Sequence, residues 1–169
     1  DDDRLDVALQ SIDRAISLAP DVGRYHVIPA NILDQARNST PAISGQASLA
    51  IQAYQSAGRA VKANPFDIYG RVHLAESTLT LATLGQPGKD QEALEEYRRL
   101  TIMFPSFWLP HFLLGRAHVE VWEGPSAIAA YTQAIEINPK AALFYDRRAE
   151  AYGMLGRHRL AVQDYGKAV

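Results

Sequence analysis

A chain of 169 residues, 47% of them hydrophobic, can bury one continuous core, and a formal net charge of -2 with both signs interspersed offers no basic face to a phosphate backbone. Nucleic acid is therefore not an expected partner. The absence of cysteine removes disulfide frameworks, thiolate zinc sites and cysteine nucleophiles, and no stretch approaches the roughly eighteen uninterrupted apolar residues of a membrane-spanning helix.

In chain order, the start DDDRLDVALQ has neither the basic region nor the apolar stretch of a secretory signal. Residues 1–20 read as a single helix running from Ala8 to a stop at Pro20, ending in AISLAPD. Residues 21–65 read as a long, irregular helix pair. Pro29 kinks or delays its first helix, Thr40 caps a helix that has Pro41 in its first turn, and AVKANPF closes the second helix after Ala53. Residues 66–105 contain a first helix with the small residue Ala75 and then Thr78, a break at Gly85 with QPGKD, and a second helix from Ala93 that ends in LTIMFPS. Residues 106–139 repeat the plan with Gly115 and His118, a break at Gly124, Pro125 and Ser126, and a helix from Ala127 ending in AIEINPK. Residues 140–169 carry Ala149, Tyr152, Gly156, Ala161, Tyr165 and Ala168 at the same offsets and stop before a proline is reached.

One spacing unites these segments: Ala8 to Pro20, Ala53 to Pro65, Ala93 to Pro105 and Ala127 to Pro139 are each twelve residues apart. A recurring helix length with a fixed stop is the mark of a repeat array. The small residues Ala75, Gly115 and Ala149 allow two helices to cross closely, and the short breaks imply antiparallel neighbours. The expectation is an all-α chain of about nine or ten helices. Replacing Gly115 with leucine should overpack a helix crossing.

These residues resemble the tetratricopeptide repeat family, whose unit of about 34 residues ends its second helix with Ala, an aromatic, Ala and Pro. The unit ending at Pro139 has that length and carries Leu114, Gly115, Ala127, Tyr131 and Ala134 at matching positions, while the last unit shows Tyr145, Ala149, Tyr152, Gly156, Ala161, Tyr165 and Ala168. Successive prolines lie 45, 40 and 34 residues apart, so the first two complete units carry extra residues in helices or loops. The resemblance implies a right-handed superhelix of stacked helix pairs over residues 1–169 as a single repeat domain, with a second-helix remnant at 1–20 and a truncated repeat at 140–169.

The family's concave surface is lined by first-helix residues. The matching positions here are Tyr69, Val72, Glu76, Leu79 and Thr80, then Leu109, Phe112, Arg116, Val119 and Glu120, then Leu143, Asp146, Glu150 and Met154. Apolar patches with isolated charges suit a peptide or amphipathic helix of a partner protein. The lysine and asparagine clamp of chaperone-tail binders is replaced by Phe112, Arg116, Asp146 and Glu150. Among the aromatics, Phe104, Phe107 and Trp108 are expected in the core and Phe112 in the groove.

No catalytic constellation stands out, and no cofactor or metal is expected. His111 and His118 fall on packing positions rather than forming a metal pair. GQPGKD lacks the spacing of a phosphate loop and reads as a turn. Glu95 and Glu96 read as a solvated helix face. A protein-binding scaffold is the leading function.

A second reading makes the chain a regulatory or substrate-positioning part of a larger bacterial membrane enzyme. AISLAPD and EEYRRLTIMFP resemble phrases in the repeat tails of the O-antigen ligase and polymerase family, and the chain reads as a piece of a longer polypeptide. A third reading is self-association through exposed end helices. Either side of a bacterial membrane is compatible with the composition.

Overall fold

Proline sets the helix ends. A computed structural model of the chain describes residues 43–168 and, nearer the start, Val7, Gln10, Ser11 and Arg14, all four in helical conformation. The expectations for Ala8, Pro20, Pro29, Thr40 and Pro41 fall outside the described residues. Seven helices and no strand occur among the described residues: α1 (Ile43–Ala63), α2 (Ile68–Thr83), α3 (Lys89–Met103), α4 (Trp108–Glu120), α5 (Gly124–Ile137), α6 (Ala142–Met154) and α7 (His158–Tyr165). The helices α1, α3 and α5 each end two residues before Pro65, Pro105 and Pro139. The residue before a proline is pushed out of helical conformation, so the stop is local chemistry.

The described residues divide into two compact units, one ending at Glu96 and the other beginning at Tyr97. In the first, α1 packs against α2. The buried face of α1 is a stripe of Ala50, Ala53, Ala57 and Ala60, with Ser56 buried beside them. Such small side chains let the helices approach closely. The turn into α2 is made by two side chains: Asn64 Oδ1 accepts from the Phe66 amide, and the N-cap Asp67 accepts from the Tyr69 amide at 3.1 Å. Lys89 opens α3 within the segment GQPGKD, in which Gly85 and Gly88 take positive φ angles of 84° and 77°. Its ammonium lies 2.6 Å from Glu92 and 4.0 Å from the centre of the Tyr54 ring, while the Tyr54 hydroxyl donates to Glu92 at 2.7 Å. Burial opposes the charge on both Lys89 and Glu92. Their mutual hydrogen bond and those with Tyr54 outweigh it, raising the Lys89 pKa and lowering that of Glu92.

In the second unit, α4 packs on α5, α5 on α6, and α6 on α7, with α4 also touching α6. Its core is aromatic. Trp108, Phe112, Tyr131 and Phe144 form a chain of ring contacts with centroids 5.1 to 6.4 Å apart. Ala134 and Ile135 lie against Phe144, and Ala127 and Ala151 against Tyr131. Gly115 faces Tyr131 so closely that a Cβ there would sit 2.6 Å from two ring carbons, which is why the crossing position is glycine. Thr78 and His118, three residues beyond Ala75 and Gly115, are buried as the repeat spacing predicts.

The repeat from Ser106 to Pro139 holds α4 and α5, of 13 and 14 residues; the one from Phe66 to Pro105 holds α2 and α3, of 16 and 15. The six extra residues expected there go three to the first helix, two to the turn before Lys89 and one to the second helix.

A brace recurs that the sequence reading did not foresee. Six residues after each proline, a long side chain reaches back to that proline's carbonyl: Arg71 Nε donates to Pro65 at 2.6 Å, His111 Nε2 to Pro105 at 3.1 Å and the Tyr145 hydroxyl to Pro139 at 3.1 Å. A carbonyl only accepts, so Nε2 of His111 carries the proton in this arrangement. His111 is thereby a turn brace, half-buried rather than fully packed.

Glu96 corrects the expectation of a solvated acidic face. Only 8% exposed, it pairs with Arg71 at 3.0 Å, while its neighbour Glu95 is exposed. Asp164 stands at the same repeat position of α7 and is also buried, held by Arg148 through two contacts of 2.6 and 2.9 Å. The same guanidinium donates to Thr132 of α5 at 3.0 Å, so one arginine ties three helices together.

Candidate functional site

The residues expected to line a groove divide between the two units, and each set is described by itself. On α2, Tyr69 is 67% exposed and Val72 and Glu76 are half-buried, so these three share an open stripe at helical spacing. Thr80 is half-buried, its hydroxyl bonded to the Glu76 carbonyl. Leu79 is buried, which removes it from the expected lining.

In the second unit, Leu109, Phe112, Arg116 and Val119 on α4 are half-buried and Glu120 is exposed. On α6, Asp146 is half-buried, while Leu143, Glu150 and Met154 are exposed. Because α4 touches α6, the two stripes lie side by side.

Tyr131 is the floor beneath them. Its side chain is buried to 1% exposure, and burial pushes the phenol pKa up to about 12. The fields of Glu150, Arg147, Arg116 and Glu120 all reach its hydroxyl, with the acids and the arginines acting in opposite directions. Three of those four residues are ones the repeat register places in the groove; Arg147 is a residue it missed. Arg147 grips both carboxylate oxygens of Glu150 at 2.8 and 2.9 Å and lies 3.9 Å from Asp146. The signal for Arg147 was its spacing of three from Glu150, one helical turn. Tyr131 was legible as a repeat aromatic.

Phe112, expected in the groove, is half-buried. Its ring lies 5.2 Å from Phe144 and 5.7 Å from Tyr131, so only part of it is open. Phe107 moves the other way: expected in the core, it is 40% exposed at the N-cap of α4. Trp108 and Phe104 are half-buried.

His118 is enclosed, with Nδ1 2.8 Å from Glu123. Burial lowers its pKa, with Arg98 acting in the same sense and Glu123 in the opposite one. Among the described residues no group of three or more His, Asp or Glu is placed to hold a metal ion, and no helix is long and apolar enough to cross a membrane. The α4 and α6 face carries the half-buried Leu109, Phe112 and Val119, two guanidinium groups and three carboxylates.

Solved structures share this architecture. The crystal structure of MamA aligns over 97% of this chain and 86% of its own with a TM-score of 0.76 at 18% identity. A thermophilic protein of Thermus thermophilus, TTC0263, covers 98% of this chain and 81% of its own, with a TM-score of 0.74 and 21% identity. The fold is that of tetratricopeptide-repeat proteins. YrrB, described as a repeat protein of this kind with an unusual peptide-binding site, aligns over 98% of this chain and 77% of its own with a TM-score of 0.70 at 15% identity. No protein-family model matches the chain, and no curated protein matches it.

Proposed function

We propose that the chain is a non-catalytic protein-interaction scaffold whose α4 and α6 face receives a peptide or helix of a partner protein. The observation that carries this reading is the convergence of Arg116, Glu120, Arg147 and Glu150 over the buried Tyr131, beside the half-open ring of Phe112. Charges of both signs around an apolar floor recognise a segment that carries its own alternating charges and at least one apolar side chain. Leu109 and Asp146 extend the same face, and Tyr69, Val72 and Glu76 form a corresponding stripe in the first unit. The peptide-binding site of YrrB supports the general reading for this fold.

The test begins with a partner recovered on the immobilised protein and proceeds to affinities. Arg116→Ala and Glu150→Ala should each weaken binding about tenfold or more, ~1.4 kcal/mol, with the helical signal intact. Equal affinity in both variants and the parent protein would remove this face from the binding surface.

A second reading keeps the chain as a substrate-positioning part of a larger membrane enzyme, favoured by the likeness of AISLAPD and EEYRRLTIMFP to the tails of the O-antigen ligase and polymerase family. Apolar spans in the full-length sequence support it, and their absence excludes it.

A further inference from the structure

At the first step out of each first helix the backbone turns left-handed: Gly85 at φ 84°, Trp122 at φ 62° and Gly156 at φ 66°. These are equivalent positions, each directly after the C-cap residues Leu84, Val121 and Leu155. Glycine takes this conformation without steric cost, whereas a side chain brings Cβ against the following carbonyl. The middle turn therefore carries the bulkiest residue type at the one position where its two sibling repeats use none. That tryptophan is also 84% exposed, the most exposed of the large hydrophobic residues among the described ones. A side chain that strains its backbone and buries almost nothing contributes little to folding.

Its surroundings indicate what it contacts. A Cβ at Gly124, two residues on, would lie 3.0 Å from the Leu155 side chain, so the turn of Trp122 adjoins the turn that leads into α7. There Met154 and Leu155 are each 37% exposed, and Arg157, His158 and Arg159 follow as an exposed basic run at the start of α7. Apolar area thus sits beside positive charge along the edge formed by the helix turns; Trp122, Leu155, Arg157 and Arg159 are not among the residues of the Tyr131 face.

We propose that this edge is a second docking surface, with Trp122 as its anchor, for an acidic peptide segment of a partner protein that carries an apolar side chain beside its carboxylates. Charge complementarity selects the occupant: Arg157 and Arg159 meet carboxylates, and Trp122 with Leu155 takes the apolar residue.

The test uses the full chain and Trp122 itself. With only two tryptophans, at 108 and 122, emission from the exposed one reports docking. The probes are a synthetic peptide of alternating leucine and glutamate, its lysine counterpart, and vesicles containing phosphatidylserine. The expected result is a saturable blue shift with the acidic peptide only. Labelled peptide should bind at least tenfold more weakly to Trp122→Gly and to the double variant Arg157→Ala with Arg159→Ala, and with unchanged affinity to Arg116→Ala. The melting temperature of Trp122→Gly should be at or above that of the parent protein. A lower melting temperature would make Trp122 a structural residue and overturn the proposal, as would equal peptide binding by Trp122→Gly, no saturable binding of the acidic peptide, or a preference for the vesicles.

Discussion

The α1–α2 and α5–α6 interfaces occupy equivalent places in the repeat, a second helix against the first helix of the next unit, yet they are filled by opposite means. In the first, the buried apolar side chains of the second helix are all alanine, Ala50, Ala53, Ala57 and Ala60. The second is built on rings, with Tyr131 and Phe144 buried and Trp108 and Phe112 packed against Phe144. All ring-to-ring contacts found among the described residues lie in the second unit. One backbone plan therefore tolerates two packing solutions, provided that large and small residues complement each other across the crossing. The alanine interface should be sensitive to enlargement and the aromatic one to truncation.

The largest effect should come from truncation. Phe144→Ala removes a ring that touches Trp108 and Phe112, and a loss of about 3 to 5 kcal/mol is expected in denaturant unfolding. A loss below about 1 kcal/mol would show that the aromatic cluster is dispensable and erase the contrast.

The buried ion pairs sharpen the same contrast. Asp164→Ala removes two hydrogen bonds from the Arg148 guanidinium, which is 12% exposed and keeps its bond to Thr132, and should cost about 3 kcal/mol. Glu96→Ala leaves Arg71 its bond to the Pro65 carbonyl and should cost less. The reverse order would show that the three-helix tie around Arg148 has been overvalued.

The aromatic unit also has one place where enlargement is not tolerated: Gly115, where even a Cβ would meet the Tyr131 ring. Gly115→Leu should destabilise by about 1 to 3 kcal/mol or more. Combining it with Tyr131→Ala should recover part of the loss, because the cavity accepts the leucine; strict additivity would place the strain elsewhere.

The smallest effect is a pH dependence. The folded His118 has its pKa lowered from 6.5 by burial, so below that pH the unfolded chain takes up a proton that the folded chain resists. Stability should fall as pH drops from 6.5 toward the folded value, and His118→Gln should flatten that part of the profile. An unchanged slope would contradict the burial of this imidazole.

How much of this was legible depends on how local the cause is. The helix stops were readable because proline acts on its immediate neighbours, and the buried Ala53, Ala93 and Ala127 follow from the fixed interval to those stops, with Ala161 at the same repeat offset. The Gly115 crossing was readable because only glycine fits it. Glu96 was misread because its burial depends on Arg71, 25 residues earlier, and a helix pattern cannot show a partner on another helix. Phe112 was placed on the correct helix face, but that face borders the core and the groove alike, and only Phe144 and Tyr131 decide how much of the ring is covered. The strain at Trp122 was hidden beside the more conspicuous Gly124 and Pro125, although alignment of the three turns exposes it.

The central claim is that partners bind over Tyr131, between α4 and α6. Site-specific photo-crosslinking addresses it most directly: a photoreactive phenylalanine analogue in place of Glu120, Glu150 or, as a control, the exposed Glu136 of α5. Crosslinks to a captured partner from positions 120 and 150, and none from 136, are the predicted result. Crosslinks from 136 with none from 120 or 150 would contradict the account and move the binding surface to the α5 side.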